Sequence, residues 1–292
     1  MTKNAAMMLI LLGGSCMSFV GLMMRLLETG DALVILFYRS IGLVAMVTVI
    51  ACLRRRVLPM QFLASLDKAD VMMGLALGLA FVTYVFAMLM TSVASTLFLL
   101  TTSPFLAAII GWVWIGERPH AFTWWAMLGA MIGVGVMLGD GWEMGRTLGN
   151  IVALISALAF SVMLVLARRN NRGDVLGGTF LGGIFAGAMA GAAALLIGDG
   201  LSISTYDLGM TLSMGAFTIG IGIAFVTWGT SYVPAAETSL LVLIESVLGP
   251  IWPWVFLGES MSKLEITGGA VVMAAVALLA LTSLASTSHD AA

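Results

Sequence analysis

The chain has 292 residues, of which 61% are hydrophobic and 10% charged, and it carries a net charge of −2 at pH 7. Soluble domains run about 45–50% apolar and about 25% charged, so a water-soluble globule of this length has nowhere to hide its apolar surface, and lipid is the solvent for most of the chain. With no basic tail or patch, nucleic-acid binding has no electrostatic footing.

A helix that crosses a bilayer needs roughly 20 mostly apolar residues. Runs of that kind fall at 5–24, 32–53, 70–90, 95–115, 123–139, 149–167, 175–197, 208–231, 235–257 and 263–283. They are continuously apolar and lack the alternation of barrel strands. The predicted fold class is therefore an all-α integral membrane protein with ten transmembrane helices. The connections are too short for a separate soluble domain. The opening stretch MTKNAAMMLILLGG has the look of a signal peptide, but its apolar run continues to Leu27 with no clear small-residue cleavage site, so it reads as a retained first span.

Lys and Arg in the loops set the orientation. With the N-terminus in the cytoplasm, Lys3, Arg54, Arg55, Arg56, Lys68, Arg118, Arg168, Arg169 and Arg172 fall inside. Only Arg146, Lys263 and the helix-end Arg25 fall outside, and both termini come out cytoplasmic. The expected location is the inner (cytoplasmic) membrane. The Arg54–Arg56 run and the pair Arg168/Arg169 read as anchors of this kind.

Cys16 and Cys52 lie inside apolar runs and read as small packing residues rather than a disulfide. His120 and His289 are too few to build a zinc or haem site, and no cofactor is expected. No G-x-x-x-x-G-K-[ST] loop occurs, so ATP hydrolysis by that route is not expected. Small-xxx-small spacing at Gly74/Gly78, Gly129/Gly133 and Gly183/Gly187/Gly191 suits close helix packing in lipid.

Two phrases recur. AFVTY at 80–84 lies in the third span and AFVTW at 224–228 in the eighth. WVWIGE at 112–117 closes the fourth span and WVFLGE at 254–259 closes the ninth, in the same order and at nearly the same spacing. Ten spans divide into two sets of five, and five is odd, so the second set enters the membrane from the opposite side. The expected organisation is two inverted five-helix repeats, 1–145 and 146–292. Such halves can expose one central site to each side in turn, which favours a transporter.

At LGE and its counterpart IGERP, the sequence resembles the drug/metabolite transporter superfamily, EamA type. The resemblance implies ten helices in two inverted repeats, each with a proline followed by a Gly-Glu signature. The stretch IESVLGPIWPWVFLGE at 244–259 is most similar to the YddG-type aromatic amino-acid exporters. What this implies is export of amino acids and related metabolites from the cytoplasm. Ser246 stands where Pro104 stands in the first half, so the ninth span is expected to bend elsewhere than the fourth.

Several residues are candidates for the transport path. Pro104 frees the carbonyl of Leu100, beside Thr101, Thr102 and Ser103; Pro250 and Pro253 free those of Ser246 and Gly249. These read as substrate-facing kinks or as plain bends whose hydroxyls bond back to their own helix. Tyr84 and Trp228 end the repeated phrases and would face each other, offering stacking surfaces or simple packing. Tyr38 and Tyr232 are weaker versions of the same idea. Arg39 either attracts a substrate carboxylate or pairs with Glu28 or Asp31, and the pair is the favoured reading. Glu245 is the candidate for an ammonium group or a proton, with a hydrogen-bonded structural acid as the alternative. Glu237 is expected to be wet. Glu117 and Glu259 are expected to cap the helices that follow them rather than form a gate.

The leading reading is a secondary transporter of small metabolites, most of all amino acids, embedded in a lipid bilayer with no oligomer required. The alternatives are a membrane-embedded enzyme and a solute channel.

Overall fold

The computed structural model describes residues 1–29, 31–91, 93–138, 147–170, 175–198, 200–258 and 263–289. Gly139, Arg146, Arg172 and Glu259 lie outside the described residues. Among the described residues every regular element is helical: α1 (Lys3–Leu26), α2 (Ala32–Arg55), α3 (Pro59–Ala64), α4 (Lys68–Met90), α5 (Val93–Leu100), α6 (Ser103–Ile115), α7 (Ala121–Leu138), α8 (Thr147–Asn170), α9 (Leu176–Ile197), α10 (Thr205–Ser213), a π-helical turn (Met214–Gly220), α11 (Ile221–Thr230), α12 (Ala235–Val242), α13 (Ile244–Leu257) and α14 (Lys263–His289). Among the described residues eight helices are long and apolar enough to cross a membrane: α1, α2, α4, α8, α9 and the composite stretches Thr96–Ile115, Thr205–Thr230 and Ala235–Leu257. Two shorter apolar helices, Ala121–Val136 and Ile266–Leu279, fall on the fifth and tenth apolar runs.

The helix ends follow from local chemistry. A helix leaves its first N–H groups without internal partners, and a short polar side chain just ahead of it supplies acceptors. Asp31 does so for α2, accepting from Leu33 N–H at 2.8 Å and Val34 N–H at 3.2 Å. Asp67 and Asp70 form a reciprocal capping box on α4, at 3.0 and 3.1 Å. Gly116 (φ 72°) and Gly258 (φ 69°) end α6 and α13 in the left-handed region. Nothing lies within 4 Å of a Cβ built at either position, so backbone conformation rather than space calls for glycine there. This is the physical content of the Gly-Glu element at the end of each repeated phrase.

The two spans that carry those phrases are both interrupted. The fourth breaks at Thr101–Thr102, where Thr101 N–H bonds Phe98 O at 3.0 Å and Thr102 N–H bonds Leu99 O at 3.1 Å. The ninth breaks at Leu243, where Leu243 N–H bonds Leu240 O at 3.1 Å and Ser246 N–H bonds Leu243 O at 3.0 Å. In the register of WVWIGE and WVFLGE these breaks coincide, which overturns the expectation of a bend elsewhere. The same tightened i→i+3 turn is reached with Pro104 in one half and without a proline in the other. Pro250 and Pro253 stay inside α13.

Packing is close. α4 lies against α8 and α9, α2 against α9 and the π-helical turn, α1 against α11 and α13, and α7 against α14. A Cβ at Gly74 would stand 2.5 Å from Leu181 Cβ, and one at Gly78 would stand 2.8 Å from Phe185 Cβ. Lipid gives helices no hydrophobic reason to associate, so approach of this kind supplies the dispersion contacts that hold them.

Candidate functional site

The breaks in the fourth and ninth spans meet at the centre of the molecule. The hydroxyls of Ser103, the first residue of α6, and Ser239, on α12, are 2.9 Å apart. Ser161 on α8 donates to the Ser103 carbonyl at 2.9 Å. From this polar floor a cavity of about 650 Å³ rises to the end of the molecule where α1 finishes. Gly21, Met24 and Arg25, all exposed, form part of its mouth.

The walls are mostly apolar. α1 contributes Met17, Val20 and Met24; α4 contributes Phe81, Tyr84 and Met88; α5 contributes Leu97 and Leu100; and Phe160 and Ile219 come from α8 and the π-helical turn. Ser18 and Ser156 also face the cavity, but their hydroxyls are committed. Ser18 Oγ accepts from Trp252 Nε1 at 2.7 Å, and Ser156 donates to Ala80 O at 2.8 Å.

Two opposite charges stand on this wall. Arg39 on α2 is only 8% exposed, and its guanidinium lies 5.5 Å from the centre of the Phe81 ring. Glu245 sits in the first turn of α13, where the positive end of the half-helix favours a carboxylate. Among the described residues neither group makes a hydrogen bond or ion pair, with the other or with anything else. The favoured pairing of Arg39 with Glu28 or Asp31 is not made; Asp31 Oδ1 caps α2 instead. Charges at membrane depth are costly and mark substrate or ion pathways.

The structure thus brings Arg39, Tyr84, Ser103 and Glu245 to one cavity, and it does not bring Tyr38, Thr101 or Trp228 there. Tyr38 donates its hydroxyl to Leu201 O at 2.9 Å. Thr101 bonds back to Phe98 O at 2.6 Å. Trp228 lies under the Arg54 guanidinium, 3.8 Å from its ring centre. Arg54 is roughly 22 Å further along α2 than Arg39 at 1.5 Å per residue, so Tyr84 and Trp228 do not face each other. Phe81, Phe160 and Ser239 were not singled out in the sequence, although Phe81 lies inside the first AFVT phrase; of the 22 methionines, read as mostly packing with a minority lining a cavity, Met17, Met24 and Met88 lie on this wall.

The opposite end carries side-chain ties between elements. Arg168 at the end of α8 donates to Glu117 Oε1 at 2.6 Å and to Ser231 O at 2.6 Å, tying α6, α8 and α11 together. Glu117 is therefore a tertiary partner rather than a cap, and Arg168 is more than an anchor. Lys3 pairs with Glu237 at 3.1 Å. Glu237 is 6% exposed and so is not wet as its place near a span end suggested. Between these ties Ser231 Oγ and Thr238 Oγ1 are buried with no hydrogen-bond partner among the described residues. Among the described residues no group of three or more His, Cys, Asp or Glu side chains gathers as a metal site.

Comparison with known proteins adds the following. The model of the EamA-like transporter family matches the chain twice, at residues 4–139 and 147–281. A protein of Archaeoglobus fulgidus named an uncharacterized transporter is 24% identical over 70% of this chain and 74% of its own length. A protein of Streptantibioticus cattleyicolor named a probable terminal-alkyne amino-acid exporter is 36% identical over 25% of each chain. A protein of known crystal structure superposes with a TM-score of 0.80 at 19% identity, covering 96% of this chain and 99% of that one, a likeness of fold. With its run of long apolar helices the chain is a multi-pass membrane protein, and it belongs to the EamA-like transporter family.

Proposed function

We propose that the protein is a secondary transporter that exports neutral amino acids, aromatic ones among them, and related metabolites across the cytoplasmic membrane by alternating access. The observation that carries this reading is the pair Arg39 and Glu245, oppositely charged and without a hydrogen bond or close ion pair among the described residues, on one cavity wall. A free amino acid presents the complementary pair. Its carboxylate meets the guanidinium fork, a strong charge-assisted contact, and its ammonium meets the carboxylate. Its side chain then lies among Met17, Met88, Phe81, Tyr84 and Phe160. Thioethers adapt to varied apolar shapes and aromatic faces stack on flat ones.

The mechanism rests on two inverted five-helix halves, 1–145 and 146–292, with both termini in the cytoplasm. Supporting this are the double match of one family model, the coincident breaks at Thr101–Thr102 and Leu243, and the matching left-handed glycines 116 and 258. Under that orientation the open mouth at Arg25 faces outward, and the ties of Arg168 and Lys3 close the cytoplasmic side. Rupture of those ties, with closure at the mouth, presents Arg39 and Glu245 to the cytoplasm.

The test is uptake and counterflow in proteoliposomes for a panel of amino acids, with and without a pH gradient. Saturable flux with counterflow and chemically unchanged solute is expected. Altered product would make the protein an enzyme, and flux without saturation a channel. If Glu245 also carries a proton, Glu245→Gln removes the dependence on the pH gradient; unchanged dependence retires that role.

A further inference from the structure

Resting on the reading that Arg39 takes the substrate carboxylate, we infer that Gly215 is a positioning residue for Arg39, and that the π-helical turn exists to seat it. The turn is the one place along Thr205–Thr230 where the helix widens. Ile221 N–H there reaches back to Ala216 O, and the Thr218 hydroxyl fills in on Met214 O. Ile219, within the turn, lines the cavity. Widened turns of this kind concentrate at functional sites because they re-aim one helical face without ending the helix.

What the turn presents to α2 is Gly215. A Cβ there would fall on the Arg39 carbonyl oxygen, with Arg39 C at 2.7 Å and Cα at 3.0 Å. These are backbone atoms, so no side-chain rotation relieves the clash; α2 itself must move at residue 39. Gly42, just under one turn further along α2, makes the reciprocal contact: a Cβ there would fall on Leu212 O, with Ala216 N at 3.0 Å.

The other side of α2 is blocked as well. Gly187 of α9 admits Ser40, and Gly191 admits the Phe37 ring, with Cβ distances of 3.1 and 2.8 Å. The backbone at Arg39 is therefore clamped from two directions. The guanidinium, which stands over the Phe81 ring and makes no hydrogen bond or ion pair among the described residues, takes its position from that backbone. A binding group must be held within about 0.5 Å of its productive position, so lateral movement of α2 beyond that misaligns a bidentate contact.

The experiment measures the preference for phenylalanine over phenylalaninamide, which keeps the ammonium and lacks the carboxylate, as competitors of phenylalanine uptake in proteoliposomes. Arg39→Gln removes the preference, a loss of roughly tenfold or more for a hydrogen-bonded charge pair. Gly215→Ala and Gly42→Ala are expected to remove most of it while the purified proteins keep a cooperative thermal transition. Gly129→Ala, whose added Cβ meets only Ala275 Cβ at 3.7 Å between α7 and α14, leaves the seat of α2 untouched and is expected to keep the preference. A folded Gly215→Ala with the wild-type preference overturns the inference, as does failure of both glycine variants to fold, which would make the contact a requirement of the bundle alone. If Arg39→Gln itself keeps the preference, the carboxylate assignment falls and takes this inference with it, so the two failures are told apart.

Discussion

The hydroxyls of Ser103 and Ser239 touch at 2.9 Å where two interrupted spans meet, and the cavity begins at that contact. Each break lets a half-helix start at the middle of the molecule, and α13 brings Glu245 there in its first turn. The pair of breaks is thus what places a carboxylate deep in a mostly apolar chamber.

Tyr84 and Trp228 end matching phrases but have different surroundings, and their alanine variants should separate accordingly. Tyr84→Ala removes an aromatic wall of the cavity and is expected to raise KM for aromatic substrates several-fold more than for alanine, since an aromatic pair contributes about 0.5–1.5 kcal/mol beyond burial. Trp228→Ala removes the platform under Arg54 and is expected to leave that ratio unchanged. Uptake kinetics on the two substrates check both statements; equal effects of Tyr84→Ala on aromatic and small substrates would reduce Tyr84 to packing.

The closed end is held in large part by Arg168. Arg168→Ala removes its bonds to Glu117 and to the Ser231 carbonyl, and is expected to favour the state open on the Lys3 side. In a background with Cys16 and Cys52 replaced by alanine, Val233→Cys, fully buried in this state, reports on that opening. A membrane-impermeant thiol reagent on the Lys3 side should label it roughly tenfold faster in the Arg168→Ala protein, the size of one hydrogen bond to a charged group. Equal rates would remove Arg168 from the closure.

Thr238 carries a buried hydroxyl with no partner among the described residues. Thr238→Val keeps its shape and discards the unsatisfied group, so it is expected to stabilise this conformation by about 1 kcal/mol. Thermal unfolding in detergent measures the gain. A loss would mean that the hydroxyl is satisfied in solution.

The single changes Ser103→Ala and Ser239→Ala should each cost about 1 kcal/mol, because each leaves a buried partner hydroxyl without its bond. The double variant should cost little more than either one. A double-mutant cycle on unfolding free energy checks this, and full additivity would show that the contact contributes nothing of its own.

Hydropathy made the spans legible, because apolar length is a property each helix carries by itself. The repeated WVWIGE and WVFLGE phrases pointed to Gly116 and Gly258, whose left-handed φ values need glycine whatever surrounds them. What escaped were features set by neighbours distant in the chain. Glu237 looked wet because nothing nearby in sequence reveals Lys3 as its partner. The break at Leu243 has no proline to announce it, while Pro250 and Pro253, which do look like breaks, are carried inside α13. Arg39 and Glu245 stood out as charges in apolar runs, but only the packing of α2 and α13 around one chamber showed that they share a cavity.

The proposed function has Arg39 and Glu245 hold the two ends of a zwitterion. It is tested most directly by competition of phenylalanine, phenethylamine and 3-phenylpropionate for the purified protein and for Arg39→Gln and Glu245→Gln. The wild type is expected to bind phenylalanine best. Arg39→Gln should lose the advantage over the amine alone, and Glu245→Gln the advantage over the acid alone. If both variants keep the wild-type ranking, or both weaken all three ligands alike, the charges do not read the substrate and the account is contradicted.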